Sequence, residues 1–134
     1  MIEMAIVDHG QFFSREELQC RCGECGYLCK MDETFMMYLE ELREKFSKPL
    51  YLSSGFRCPA HNRKVSSSGS PNGPHTTGKA VDILIAKQDG YEILKLALEL
   101  EFSGIGINQK GAGRFIHLDT LTRHEGLRPT IWSY

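Results

Sequence analysis

Two short apolar segments of the sequence each carry ionisable residues among side chains that favour burial. The first, 80–85, reads Ala-Val-Asp-Ile-Leu-Ile, and the second, 115–119, reads Phe-Ile-His-Leu-Asp. Alternate side chains of a β-strand point to opposite faces, so Asp82 and His117 can leave one sheet face while their apolar neighbours fill the core behind it. The two segments therefore predict strands whose polar residues share one side of a sheet.

A third residue, His75, lies on the loop before the first of these strands and can fold back over the same face. Two imidazoles and one carboxylate are a suitable ligand set for a catalytic zinc ion, which uses three protein ligands and keeps a fourth position for water. By spacing alone, a hydrogen-bonded or surface His–Asp pair is the commoner arrangement, so the pattern leaves both interpretations open.

The remaining periodicity predicts an α+β fold, with a small antiparallel sheet and flanking helices. Apolar residues at helical spacing predict a helix over about 33–46, which Asp32 caps. A second helix, over about 88–100, is predicted to carry Tyr91, Leu94 and Leu98 on one stripe. The pattern also predicts a short helix after Ser14, a helical turn over 59–65, and strands over 50–53, 80–85, 103–107 and 114–118.

Length and charge exclude several classes of protein. A chain of 134 residues, 41% hydrophobic and 25% charged, suits a single globular domain over 1–134. Its net charge of −1 offers no basic surface for nucleic acid. No apolar run approaches the roughly 20 residues that span a bilayer. The first ten residues do not resemble a secretory signal. We therefore expect a monomer that is cytoplasmic as synthesised.

Four motifs follow one another along the chain: Ser53-Ser-Gly55-Phe-Arg57, Asn62, Pro74-His75-Thr-Thr-Gly78-Lys-Ala80-Val-Asp82 and Phe115-Ile-His117-Leu-Asp119. Together they resemble the zinc D-Ala-D-Ala carboxypeptidase family of murein peptidases, which includes phage endolysins. The resemblance covers roughly residues 35–120 and implies the fold that this family shares with the D-Ala-D-Ala dipeptidases and the hedgehog signalling domain. It also implies a Zn²⁺-dependent carboxypeptidase or endopeptidase of peptidoglycan stem peptides, which acts on the cell wall if it is released or delivered by a phage route.

By position, the resemblance implies that His75, Asp82 and His117 are the zinc ligands. Arg57 matches the family's arginine that faces the substrate, where a fixed guanidinium could neutralise the oxyanion of the tetrahedral intermediate. A structural ion pair within its turn is the alternative role for Arg57.

One position departs from the family pattern. Several relatives place the general base, an Asp or Glu, three residues before the last histidine ligand, where this chain has Arg114. Asp119 is the best remaining carboxylate. It could accept a proton from the attacking water, or it could orient a ligand imidazole. The missing acid favours an alternative function, a non-catalytic zinc-binding or cell-wall-binding module on the same fold.

Four cysteines lie within ten residues, at Cys20, Cys22, Cys25 and Cys29. Four thiolates can close a tetrahedral structural zinc site, although their spacing here is more compressed than the usual pairs of cysteines separated by a longer loop. Free thiols and disulfides are the alternatives. The fifth cysteine, Cys58, is interpreted as a small buried apolar residue.

Overall fold

The computed structural model describes residues 11–134, which form four α-helices, one short 3₁₀ helix and five strands. The sequence analysis found no resemblance to a secretory signal in residues 1–10, and these residues lie outside the described part of the chain. Within residues 11–134, no helix is both long and apolar enough to cross a membrane. In chain order the elements are α1 (Arg15–Leu18), α2 (Glu33–Phe46), β1 (Tyr51–Ser54), α3 (Pro59–Val65), the 3₁₀ helix (Pro74–Thr77), β2 (Ala80–Leu84), α4 (Lys87–Glu99), β3 (Gly104–Asn108), β4 (Phe115–Asp119) and β5 (Thr130–Ser133).

The five strands form one sheet in the order β1-β2-β4-β3-β5. The pairs β1–β2, β2–β4 and β4–β3 are antiparallel, whereas β5 runs parallel to β3. The predicted α+β class is therefore confirmed, but the sheet is mixed and not wholly antiparallel. The difference lies in β5, whose sequence, Thr-Ile-Trp-Ser, carried too little pattern to predict a strand or its partner.

Helices α2 and α4 supply the core beneath the sheet. Asp32 caps α2 as predicted, because its Oδ2 accepts a hydrogen bond from the amide of Phe35 at 2.9 Å. The stripe predicted for α4 is wrong, because Tyr91 and Leu98 are exposed. The buried residues of the helix are Gly90, Ile93, Leu96 and Ala97. The core residues of the helices and strands form one cluster, which includes Phe35, Leu39, Leu42, Val81, Ile83, Ile93, Ala97, Ile105, Ile116 and Leu118.

The segment after α1 docks tightly against the turn that follows β1. The amide of Phe56 donates to the carbonyl oxygen of Leu18 at 2.8 Å. A Cβ atom at Gly55 would lie 2.6 Å from that same oxygen. Only glycine therefore permits this close approach of two backbones, which sets the position of the turn.

We expect Gly55→Ala to lower the free energy of unfolding by about 1–3 kcal/mol, the usual cost of forcing an extra methyl group into a packed site. The backbone of Leu18, unlike a flexible side chain, cannot move aside without shifting α1. The measurement is the urea midpoint, with the slope of the transition compared between variant and wild type.

Gly90→Ala is the matched control. Gly90 lies in α4, where the nearest atom to an added Cβ is Gln109 Oε1 at 3.6 Å, an ordinary contact. Alanine in a helix should leave stability unchanged or raise it by about 0.5–1 kcal/mol. Equal urea midpoints for Gly55→Ala and the wild type would contradict the tight docking.

Candidate metal centre

The register of β2 and β4 brings the polar residues of both strands to one face of the sheet. Asp82 lies directly opposite His117, and Ala80 lies opposite Asp119. The intervening residues, among them Val81 and Leu118, turn to the other face and are fully buried in the core. Strand alternation alone thus positions a carboxylate beside an imidazole.

His75 approaches the same carboxylate from the 3₁₀ helix. Its Nε2 lies 3.2 Å from Asp82 Oδ1, and its Nδ1 lies 2.8 Å from the carbonyl oxygen of Gly55. The amide of Arg57 donates in turn to the carbonyl oxygen of His75 at 3.2 Å. Two hydrogen bonds therefore tie the 3₁₀ helix to the turn after β1 and fix the orientation of the His75 ring.

His117 completes the group from β4. Its Nδ1 lies 3.1 Å from Asp82 Oδ1, and its Nε2 lies 2.7 Å from Asp119 Oδ2. The one ligand atom that each of His75, Asp82 and His117 offers lies within 4.8 Å of the other two. All three residues are less than a tenth exposed.

The partners behind the two rings determine which nitrogens face the centre. The carbonyl of Gly55 can only accept, so His75 carries its proton on Nδ1 and presents the lone pair of Nε2. The carboxylate of Asp119 likewise holds the proton of His117 on Nε2 and leaves the lone pair of Nδ1. Both lone pairs then face Asp82 Oδ1, itself an acceptor, so three acceptors converge with no donor between them. A divalent cation satisfies such an arrangement, and the nitrogen and carboxylate ligands suit zinc.

The electrostatics of the buried group also favour a positive charge at this point. Burial lowers the pKa of His75. The pKa of His117 is raised, because its contacts with Asp119 and Asp82 outweigh the lowering effect of burial. When a proton on the facing imidazole nitrogens takes the place of the divalent cation, burial raises the pKa of Asp82, but hydrogen bonds from His117 and His75 hold that pKa well below its usual range. The site keeps its carboxylate ionised and attracts a cation, whether a proton or a metal ion.

Asp119 lies behind His117 and away from the open side of the centre. The side chain is fully buried, and Arg128 donates to both of its oxygens at 2.8 and 2.7 Å. Although burial raises it, the hydrogen bonds from Arg128 and His117 lower the pKa of Asp119 to about 2. Of the two roles considered for Asp119, this geometry favours orienting the imidazole over accepting a proton from a substrate water.

Arg57 lies beside the other oxygen of Asp82. Its Nη2 is 3.4 Å from Asp82 Oδ2, its Nε donates to Ser54 Oγ at 3.0 Å, and its Nη1 donates to Asn62 Oδ1 at 3.0 Å. Burial lowers the pKa of Arg57, and Asp82 opposes that shift. Three of the five N–H donors of a guanidinium are thus engaged, which fixes its plane and leaves donors for a ligand.

Two glycines of β3 make room for the site, a feature that the sequence analysis missed. A Cβ atom at Gly104 would collide with the carboxylate of Asp119, and one at Gly106 would lie 2.5 Å from Trp132 Nε1. The indole of Trp132 packs on the His117 ring with centroids 5.0 Å apart. The alternating Gly-Ile-Gly of β3 was the available signal for a crowded sheet face.

The centre opens into a cleft of about 390 Å³. Asn62 and the serines at 66–68 line one part of it, and Phe115, Trp132 and Tyr134 line another. Among the described residues of this lining, Asp82 is the only carboxylate, so the cleft combines a candidate cation site with a guanidinium and aromatic walls.

The cysteines group differently from the sequence expectation. The structure brings Cys20, Cys22 and Cys25 together with Cys58, and Cys29 does not belong to this group. Cys58 is buried in the core, as interpreted, and its sulfur also lies beside those of the three other cysteines. Docking of the turn after β1 on Leu18 creates the contact, which no spacing within residues 20–29 could reveal.

Comparison with known proteins identifies one family. A family model described as Peptidase M15 matches residues 11–119, which include every residue of the centre. No curated protein and no solved structure matches the chain.

The position of Asp119 generates a prediction for metal affinity. Asp119→Asn removes the charge that holds the His117 ring and its tautomer. We expect the affinity of the centre for zinc to fall about 10- to 100-fold, as when other partners behind a ligand are lost. Zinc titration of the purified chain measures this. Asp89→Asn, which changes an exposed carboxylate paired with Lys48, should leave the affinity unchanged; an equally unchanged affinity in Asp119→Asn would contradict the assignment.

Proposed function

The chain belongs to the peptidase M15 family, and from this membership and the geometry of the centre we propose that it is a zinc-dependent peptidase. Its proposed substrates are the stem peptides of peptidoglycan, cleaved at a D-Ala-D-Ala terminus or at a cross-link. The observation that carries the proposal is the convergence of His75, Asp82 and His117 at the cleft.

In this proposal His75 Nε2, His117 Nδ1 and a carboxylate oxygen of Asp82 hold the metal. A zinc ion bound there supplies Lewis acidity toward a substrate carbonyl and lowers the pKa of a coordinated water. The open side of the three ligands faces the cleft, where a peptide can approach. The buried core behind β2 and β4 supports Asp82 and His117.

Arg57 is proposed to stabilise the oxyanion that forms when the peptide carbonyl is attacked. Its three hydrogen bonds, to Ser54, Asn62 and Asp82, hold the guanidinium at the cleft before any substrate binds. A donor that needs no reorganisation stabilises developing charge best. Its ion pair with Asp82 also keeps that carboxylate ionised, so the catalytic and the structural roles of Arg57 are compatible.

The cleft walls suit a short peptide with small side chains. The serine hydroxyls at 66–68 can bond to peptide groups, and the faces of Trp132 and Tyr134 can pack on methyl groups. Burial raises the pKa of Tyr134, so its phenol acts as a donor and not as a base.

A second candidate, a non-catalytic module that binds zinc or cell wall on the same fold, is favoured by one specific observation. The described lining of the cleft holds no carboxylate besides Asp82, and Asp119 is enclosed by Arg128 and His117. Glu125, another conceivable base, pairs with Lys79 at 2.9 Å and is not among the residues that line the cleft. A binding module needs no such group.

Incubation with purified peptidoglycan distinguishes the two functions. The wild-type chain loaded with zinc should release soluble peptides or D-alanine, detected by mass spectrometry, and a chelator should abolish the release. Asp82→Asn should be inactive, because the carboxamide loses the charge that holds the cation, whereas the surface variant Asp89→Asn should retain activity. Binding to the sacculus without any release, at saturating zinc, would overturn the peptidase and support the binding module.

Substitution of Arg57 tests its role separately. We expect Arg57→Ala to lower kcat about 10²-fold or more while the chain still binds zinc. Arg57→Lys should restore little activity, because an ammonium group cannot make the three planar hydrogen bonds. Arg63→Ala, on the exposed side of α3, is the control. Turnover at the wild-type rate in Arg57→Ala would assign Arg57 to structure alone.

A further inference from the structure

Four cysteines form a cluster separate from the candidate metal centre. The sulfur atoms of Cys20, Cys22, Cys25 and Cys58 all lie within 4.8 Å of one another. Cys22 Sγ is 3.6 Å from Cys25 Sγ and 3.8 Å from Cys58 Sγ. A tetrahedron with zinc–sulfur bonds of about 2.3 Å has edges of about 3.8 Å, whereas disulfide sulfurs lie only about 2.05 Å apart. Both distances from Cys22 Sγ match such an edge and are too long for a disulfide.

Backbone amides surround these sulfurs as donors. The amide of Cys58 donates to Cys20 Sγ at 3.3 Å, that of Glu24 to Cys22 Sγ at 3.4 Å, and that of His61 to Cys58 Sγ at 3.4 Å. Such donors stabilise negative charge on sulfur, the state in which cysteine binds a metal. Gly23 and Gly26 adopt positive φ angles of 74° and 75°, which let the loop fold around the group.

The four cysteines link the N-terminal segment to the turn 55–58, which carries the carbonyl of Gly55 and the side chain of Arg57. Cys20 lies two residues after Leu18, whose carbonyl oxygen accepts a hydrogen bond from the amide of Phe56, and Cys58 directly follows Arg57. The same turn supplies the carbonyl of Gly55 that orients His75. A clamp that holds residue 58 against residues 20–25 therefore restrains both Gly55 and Arg57.

We propose that Cys20, Cys22, Cys25 and Cys58 bind a structural zinc ion that fixes the turn 55–58 and so positions His75 and Arg57. This ion is distinct from the one assigned to His75, Asp82 and His117. Its ligand set joins three closely spaced cysteines to one that follows 33 residues after Cys25, at the start of α3. The thiol site does not depend on peptidase activity, so it stands or falls separately from the proposed function.

Metal analysis and cobalt substitution of the full chain test the proposal. The wild type should bind about two metal equivalents, and its cobalt form should show the intense near-ultraviolet absorption of cobalt–thiolate charge transfer. Cys58→Ser should lose that absorption and about one equivalent. Cys29→Ser, the matched control, should keep both. His75→Ala should keep the absorption while losing the other equivalent.

The positioning role has its own readout. In Cys58→Ser the affinity of the remaining centre for zinc should fall about 10- to 100-fold, as expected when a support behind a ligand is lost. Unchanged affinity would overturn the positioning role, and cobalt–thiolate absorption that survives Cys58→Ser would overturn the site. A wild type without thiolate-bound metal, or with a Cys22–Cys25 disulfide by mass spectrometry, would overturn it as well.

A second variant keeps the test decisive where Cys58→Ser fails to fold. Cys25→His retains three thiolates and adds an imidazole, a ligand set that structural zinc sites also use. Its cobalt form should show weaker charge-transfer absorption than the wild type. Absorption of undiminished intensity would exclude Cys25 as a ligand and overturn the proposed set.

Discussion

Asp82 Oδ1 lies 3.2 Å from His75 Nε2 and 3.1 Å from His117 Nδ1, and all three side chains are buried at the floor of the cleft. Burying a carboxylate costs several kcal/mol unless positive charge or donors compensate for the lost water. Arg57 compensates one oxygen of Asp82, and the two imidazoles face the other. Because Gly55 and Asp119 contact the other imidazole nitrogens, Oδ1 is left to a cation, either a proton on a facing imidazole nitrogen or a metal ion, and the proposed function assigns this place to zinc.

Much of this arrangement follows from local sequence patterns. Alternation in 80–85 and 115–119 predicted that Asp82 and His117 share a sheet face, and the antiparallel register places them directly opposite each other. The helix over 33–46 and its cap at Asp32 were also predicted, because capping and helical periodicity are encoded within a few residues. The order of the strands and the direction of β5 required knowledge of distant pairing, which those patterns do not contain.

The features that sequence reasoning missed depend on contacts between distant segments. Cys58 lies beside Cys20, Cys22 and Cys25 because the turn after β1 packs on Leu18. Nothing near Cys58 in the sequence predicts that packing. Asp119 shares the strand face of His117. The alternation of side chains along β4 therefore left two roles open for Asp119, accepting a proton and holding the His117 ring. The pairing of Asp119 with Arg128, nine residues later, favours support. The structure thus separates the three candidate ligands from the residues that hold them in place.

Diffraction data collected on both sides of the zinc absorption edge, from crystals grown with the metal, test the account most directly. We predict an anomalous peak about 2.0–2.2 Å from His75 Nε2, from His117 Nδ1 and from a carboxylate oxygen of Asp82. His75 Nδ1 and His117 Nε2 should keep their contacts with Gly55 and Asp119. The absence of a peak at this position, or a His117 ring turned so that Nε2 binds the metal, would contradict the account.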